Sequence, residues 1–226
     1  MIISDLTDPP PVELPDQPNH GSLQLRIVLE GSKPEIWRRL IVPANANLGW
    51  IHAAIQLAMG WTNSHLHQFR RGDQVVSDPK FELESFENEP PVLDEQHVVL
   101  GEFLLAPGEA LIYEYDFGDG WNHLVSVENL LEPQRAVAGK AVCIGGARAC
   151  PPEDCGGLGG YEELLKALQN KKHRDHKAMT EWLGRPFDEE HFDTGDTNRW
   201  LSKLGWPRIT EAALRKVLVA RDRAAR

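Results

Sequence analysis

The sequence predicts an α+β fold: a mostly antiparallel sheet with packed helices and a helical C-terminal region. Three observations carry this. Apolar residues alternate with period 2 over 23–29 and again over 111–117, the pattern of half-buried strands. Gly72-Asp73 and Asp119-Gly120 sit beside such runs and mark tight hairpins, which join antiparallel neighbours. Beyond residue 160 the apolar spacing changes to 3 and 4 in three separate stripes, with a fourth helical segment after them.

The elements follow in order. Residues 1–20, rich in Pro, Asp and Asn, read as a flexible tail. Leu23, Leu25, Ile27 and Leu29 alternate with Gln24, Arg26 and Glu30 in a first strand, which Lys33-Pro34 breaks. Residues 36–42 form a second extended run, and Pro43 and Asn45 a turn. Asn47 is placed to cap a helix whose stripe is Leu48, Ile51, Ile55 and Ala58. Trp50, Ala54 and Leu57 widen that stripe until most of the helix is apolar, so it belongs in the core, and Gly60 stops it. Residues 65–70 read as a strand that turns into 74–76. The acidic, proline-containing 78–97 reads as loop, and 100–105 as a short helix or turn.

Residues 111–117 and 122–130 make a hairpin about Asp119-Gly120. Residues 133–160, with seven glycines, read as irregular. Four helices then carry the stripes Tyr161/Leu164/Leu165/Leu168, Met179/Trp182/Leu183 and Trp200/Leu201/Leu204, and a last one from Thr210 with Ile209 and Leu214 as a hydrophobic staple. The expected organisation is a tail over 1–20, an α+β domain over 21–206 and a basic C-terminal helix over 207–226.

Composition narrows the function classes. No run approaches the ~18 apolar residues that span a bilayer, so no membrane partner is expected. The acidic, proline-rich N-terminus lacks the basic and apolar parts of a secretory signal. Three cysteines without such a signal predict reduced thiols and a cytoplasmic setting. The net charge of −10 disfavours a general nucleic-acid coat. Residues 199–226, however, carry +6, so that segment is a candidate contact for nucleic acid or an acidic partner, or simply a solvated helix face. Phosphate-loop, dinucleotide-binding, nucleophile-elbow and HExxH motifs are all absent.

Candidate chemistry gathers in three places. With Asp119-Gly120 as a two-residue loop, Asp116 faces His123 across the hairpin, either a base with its orienter or a structural ion pair. His65 and His67, two apart, share one face of their strand, and with His123 they could hold a metal ion or pack as half-buried rings. Cys143, Cys150 and Cys155 lack CxxC spacing; they are candidate ligands for zinc or another divalent metal, or three small buried side chains. Glu153 and Asp154 offer acid/base groups or loop caps. Trp61, Tyr115 and Trp121 would wall a pocket with these polar groups.

The strings IWRR from Ile36, MGW from Met59, SHLHQF from Ser64, YEYDFGD from Tyr113, WNH from Trp121 and CPPEDCGG from Cys150 resemble the plasmid pRiA4b ORF-3-like family. They occur in family order over most of the chain. The resemblance implies an α+β domain with a mostly antiparallel sheet, and no assigned reaction. Its pattern falls on His65, His67, Tyr115, Asp116, Asp119, Trp121, His123, Cys143, Cys150, Pro151, Pro152, Glu153, Asp154 and Gly156. Arg148 and Ala149 sit where the family varies, Glu189 replaces a common proline, and the extension from Pro207 has no clear counterpart. Some members are described as passenger or regulatory proteins of insertion elements. The expected function is therefore an accessory or interaction protein, tied to plasmids or mobile elements, with a His/Asp/Trp-lined pocket for a protein or small-molecule partner. The alternatives are a metal-dependent hydrolase or nuclease using His65, His67, Asp116 and His123, and a DNA binder acting through residues 208–226.

Overall fold

The computed structural model describes residues 21–83, 85, 90–132 and 139–224. The tail read over 1–20 lies outside the described residues. The strands are β1 (Ser22–Leu29), β2 (Trp37–Pro43), β3 (His67–Arg71), β4 (Gln74–Ser77), β5 (Leu93–Asp94), β6 (Ala110–Tyr115), β7 (Trp121–Leu131) and β8 (Val142–Ala147). They form one sheet in the order β5-β4-β3-β6-β7-β1-β2-β8. Every pairing is antiparallel except β4 with β5. The helices are α1 (Leu48–Met59), α2 (Leu100–Phe103), α3 (Gly157–Gln169), α4 (His176–Leu183), α5 (Thr194–Leu201) and α6 (Glu211–Ala224). The fold is α+β, as the period changes predict.

β1 sits between β7 and β2, and its alternate residues Leu23, Leu25, Ile27 and Leu29 are buried. Each fully buried Leu or Ile contributes roughly 1.5–3 kcal/mol. The core these strands build receives α1, all of whose residues are buried. Asn47 caps it, accepting a hydrogen bond from the Trp50 amide at 2.8 Å, and Gly60 ends it in the left-handed region at φ 103°.

A helix buried to its last turn cannot satisfy its final carbonyls with water. Two arginines do so instead. Arg38 Nε donates to Ala58 O, while its other nitrogens reach Trp37 O, Ala147 O and Arg148 O. Arg221, from α6, donates to Gln56 O, Gly60 O and Trp61 O. Their positive charge also suits the negative end of the helix. α6 is therefore docked, with Leu214, Leu218 and Arg221 buried, and Thr210 Oγ1 accepts from the Ala213 amide at its start.

Three expectations change. The stretch 78–97 contains β5 and a short 3-10 turn, Pro79–Phe81, besides loop. The stretch 133–160 contains β8, an edge strand that its glycines concealed. Gly146 is needed there because a Cβ would lie 2.5 Å from the Phe192 ring. The hairpin also closes wider than Asp119-Gly120 suggests: Tyr115 pairs with Trp121 and Tyr113 with His123, leaving residues 116–120 as the loop. Asp116 therefore does not face His123. Its backbone takes φ 56°, its Oδ1 accepts from the Gly118 and Asp119 amides, and the Gly120 amide donates to its carbonyl. This side-chain turn wins over the two-residue turn.

The 116–120 loop locks onto the loop before α3. Asp119 Oδ2 accepts from the Gly156 amide at 3.2 Å, and a Cβ on Gly157 (φ 67°) would lie 2.6 Å from Asp119 O. Gly157→Ala is expected to cost about 1–3 kcal/mol, because it combines backbone strain with a clash against main chain. Urea denaturation of both chains measures the difference, and an unchanged midpoint contradicts the packing described.

Candidate functional site

The connection from α1 to β3 carries the first site residues. Thr62 N and Thr62 Oγ1 both donate to the Glu153 carboxylate, and so does Tyr115 OH, which in turn accepts from the Ser64 amide at 3.0 Å. Trp61 Nε1 donates to Pro151 O at 3.0 Å. The Cys-Pro-Pro-Glu segment is thereby stapled across the start of β3 and the end of β6. Glu153 is spent on this staple, while its neighbour Asp154 points outward, 69% of its side chain exposed.

The staple brings Asp154 to His65. His65 Nε2 lies 3.2 Å from Asp154 Oδ1 and 3.5 Å from Asp116 Oδ2. One ligand atom from each residue falls within 4.8 Å of the other two, and among the described residues this is the group of three metal-capable side chains that forms. His65 precedes β3, so it does not share a strand face with His67 as its spacing suggests.

His65 and Asp116 line a cleft of about 1190 Å³, which extends to α6 and to the 3-10 turn. Deeper in it lie His67, a candidate from the sequence, and two groups that the sequence reading missed or placed in a loop, His52 and Glu95. His67 Nε2 and Glu95 Oε2 share a hydrogen bond of 2.6 Å. The His52 ring stacks on His67 with centroids 3.5 Å apart. His52 is held by Tyr113 OH and Asn63 Oδ1, both at 2.8 Å. Gly49 makes room for the Glu95–Gln96 turn, since a Cβ there would sit 2.1 Å from Gln96 Nε2. His52 had one legible signal: with Gln56, one turn on, it is a polar pair in an otherwise apolar helix. Glu95, in a stretch of loop, had none.

The remaining candidates lie elsewhere. His123 is fully buried, with Nδ1 3.3 Å from Tyr113 O and its ring edge-on to Trp61 at 5.1 Å. Tyr115 and Trp121 pack with Trp61 in the core instead of walling the cleft. Trp61 does reach a smaller pocket of about 340 Å³ beside Cys150 and Pro152. Cys143, Cys150 and Cys155 are free thiols and do not join the His65 group. Burial pushes Cys150 and Cys155 up to about 12, away from the thiolate that binds metal.

The pattern that defines the plasmid pRiA4b ORF-3-like proteins matches residues 21–196. The chain belongs to this family. It is 36% identical over 163 residues to the uncharacterized protein y4hQ of Sinorhizobium fredii, covering 72% of this chain and 80% of that one. The crystal structure of MM3350, a protein of unknown function from Methanosarcina mazei Go1, superposes with a TM-score of 0.68 at 32% identity. It covers 77% of this chain and 95% of MM3350. α6 falls beyond the family match, yet it forms one wall of the cleft. No helix among the described residues is long and apolar enough to cross a membrane.

Burial sets the protonation of the deep groups. It pushes Glu95 up to about 7, and His52 and His67 down to about 3. His123 falls to about 4 for the same reason. Between about pH 4.5 and 7 the folded chain keeps a Glu95 proton that the unfolded chain has released, so this contribution to stability falls as pH rises. Below about 6.5 the unfolded chain protonates His52 and His123 while the folded chain does not, so theirs rises with pH up to that value. Glu95→Gln should therefore gain stability over wild type by about 1–3 kcal/mol on going from about pH 5 to about pH 8. Denaturant titrations at the two pH values test this, and a pH-independent difference contradicts the raised Glu95 carboxyl.

Proposed function

We propose that this protein is a cation-binding accessory module whose ligand enters the cleft at its His65–Asp116 edge. The sign of the cleft is the observation that carries the reading. Six of the eight Asp, Glu, Lys and Arg side chains lining it are acidic, with Glu95 among them keeping its proton up to about pH 7. Lys80 and Glu211 pair with each other at 3.0 Å, which leaves five acidic groups against Arg215. Low-dielectric walls of one sign concentrate ions of the other. Leu66, Phe117 and Val219 are exposed in the same cleft, which suits an apolar body attached to the charge.

Other readings draw less support. A hydrolase or nuclease built on His65, His67, Asp116 and His123 needs four converging groups, and His123 lies in the core with the Trp61 ring against it. A nucleic-acid contact through residues 208–226 loses Arg221, which is buried against α1. α6 is better read as part of the cleft, and so as part of the domain. The three unpaired cysteines favour a reducing, cytoplasmic setting. The plasmid origin in the family's description supports a setting on mobile DNA.

Nuclear magnetic resonance titrations of the full chain in chelator test the sign directly. Phenethylammonium is expected to shift the methyl signals of Leu66, Leu214 and Val219, and Asp116→Asn to weaken that response at least about fivefold. Neutral phenylethanol is expected to act more weakly, and phenylacetate not at all. Equal responses to all three, or a preference for the anion, would overturn the proposal.

A further inference from the structure

We infer that His65, Asp116 and Asp154 bind one divalent transition-metal ion at the edge of the cleft. The inference rests on the cation-binding reading and deepens it by naming a cation for the His65–Asp116 edge. One imidazole and two carboxylates form a mixed N/O set, the donor type of zinc and manganese.

The spacing fits an ion. Neighbouring ligands on a tetrahedral metal with bonds of about 2.0–2.1 Å lie about 3.3 Å apart. The two His65 Nε2 to carboxylate distances, 3.2 and 3.5 Å, bracket that edge. Asp154, being mostly exposed, can adjust the third.

The individual atoms point the same way. His65 Nε2 is shut off from solvent and makes no hydrogen bond among the described residues, despite two carboxylate oxygens nearby. A buried nitrogen that makes no hydrogen bond costs about 1–3 kcal/mol, which a metal bond would remove. The Asp116 side chain is nine-tenths buried. Its Oδ1 is committed to the Gly118 and Asp119 amides, which fixes the carboxylate plane and directs Oδ2 at His65. The hydrogen bonds to Oδ1 orient the ligand as outer partners do in metal sites. Two carboxylates meeting at one imidazole repel each other, and a dication relieves this. Three protein ligands, one of them at the open rim, leave a coordination position for water or for a polar ligand in the cleft.

The test uses the full untagged chain, stripped with chelator, and zinc or manganese ions alone as probes. Calorimetry is expected to show about one equivalent of zinc with a dissociation constant of about 10 µM or tighter. His65→Gln and, separately, Asp154→Asn should each weaken it at least about tenfold. Asp154 is exposed, so that variant keeps the fold, which circular dichroism checks. Replacing Cys150 and Cys155 with serine should leave affinity unchanged. Binding that follows the cysteines, or survives both ligand variants, overturns the site. No binding of either ion while phenethylammonium still binds overturns the metal and leaves the cation-binding reading intact. Failure of both probes overturns the two together.

Discussion

Glu153 is the constraint on which the site depends. Its carboxylate accepts from Thr62 N, Thr62 Oγ1 and Tyr115 OH, so one side chain ties the segment before α3 to the α1–β3 connection and to β6. It is the anchor adjacent to Asp154, and it sets that residue opposite His65. A charged acceptor that collects three donors is strong and directional, and it gives up reactivity in exchange. The same acid/base potential that makes Glu153 a candidate in the sequence is what allows it to serve as a brace. The conspicuous Cys-Pro-Pro-Glu string is then mostly scaffold, with Trp61 Nε1 on Pro151 O as its second anchor.

A second constraint runs from the core outward. α1 is buried along its whole length, so its C-terminal carbonyls need donors from the protein. Arg38 and Arg221 supply them from opposite ends of the chain. Arg221 brings α6 with it, and α6 places Leu214, Leu218 and Asp222 in the cleft. The same buried arginine thus satisfies the core and sets one wall of the site. Its role is to accept burial in exchange for several carbonyl partners, which an ammonium group with fewer directed donors does less well.

Most of the architecture was legible because it rests on periodicity. The strand alternation of 23–29, the Asn47 cap, the Gly60 stop and the Thr210 start are local patterns, and the structure forms the corresponding elements. What escaped was non-local. β8 is glycine-rich, and it is a strand because β2 pairs with it and Phe192 covers Gly146. The hairpin register failed because Asp116 builds its own turn with the Gly118 and Asp119 amides, which dipeptide preference does not foresee. Two of the three ligand-set residues, His65 and Asp116, were visible as candidates for one metal-dependent site. Asp154 was visible only as an acid/base or pocket group, since its meeting with His65 depends on the Glu153 brace. The Glu95–His67 pair was half hidden for the same kind of reason: a two-residue strand parallel to β4 delivers the carboxylate.

The molecule as described is an α+β scaffold whose buried Arg38 and Arg221 are spent on the end of α1, and the acidic edge of its cleft is where we infer that a metal ion binds. That claim is tested most directly by diffraction from crystals grown or soaked with manganese, using the metal's anomalous signal. A single strong peak is expected in contact with His65 Nε2 and with carboxylate oxygens of Asp116 and Asp154, at bond lengths of about 2.0–2.2 Å. No peak in the cleft, or a peak among Cys143, Cys150 and Cys155 instead, would contradict it.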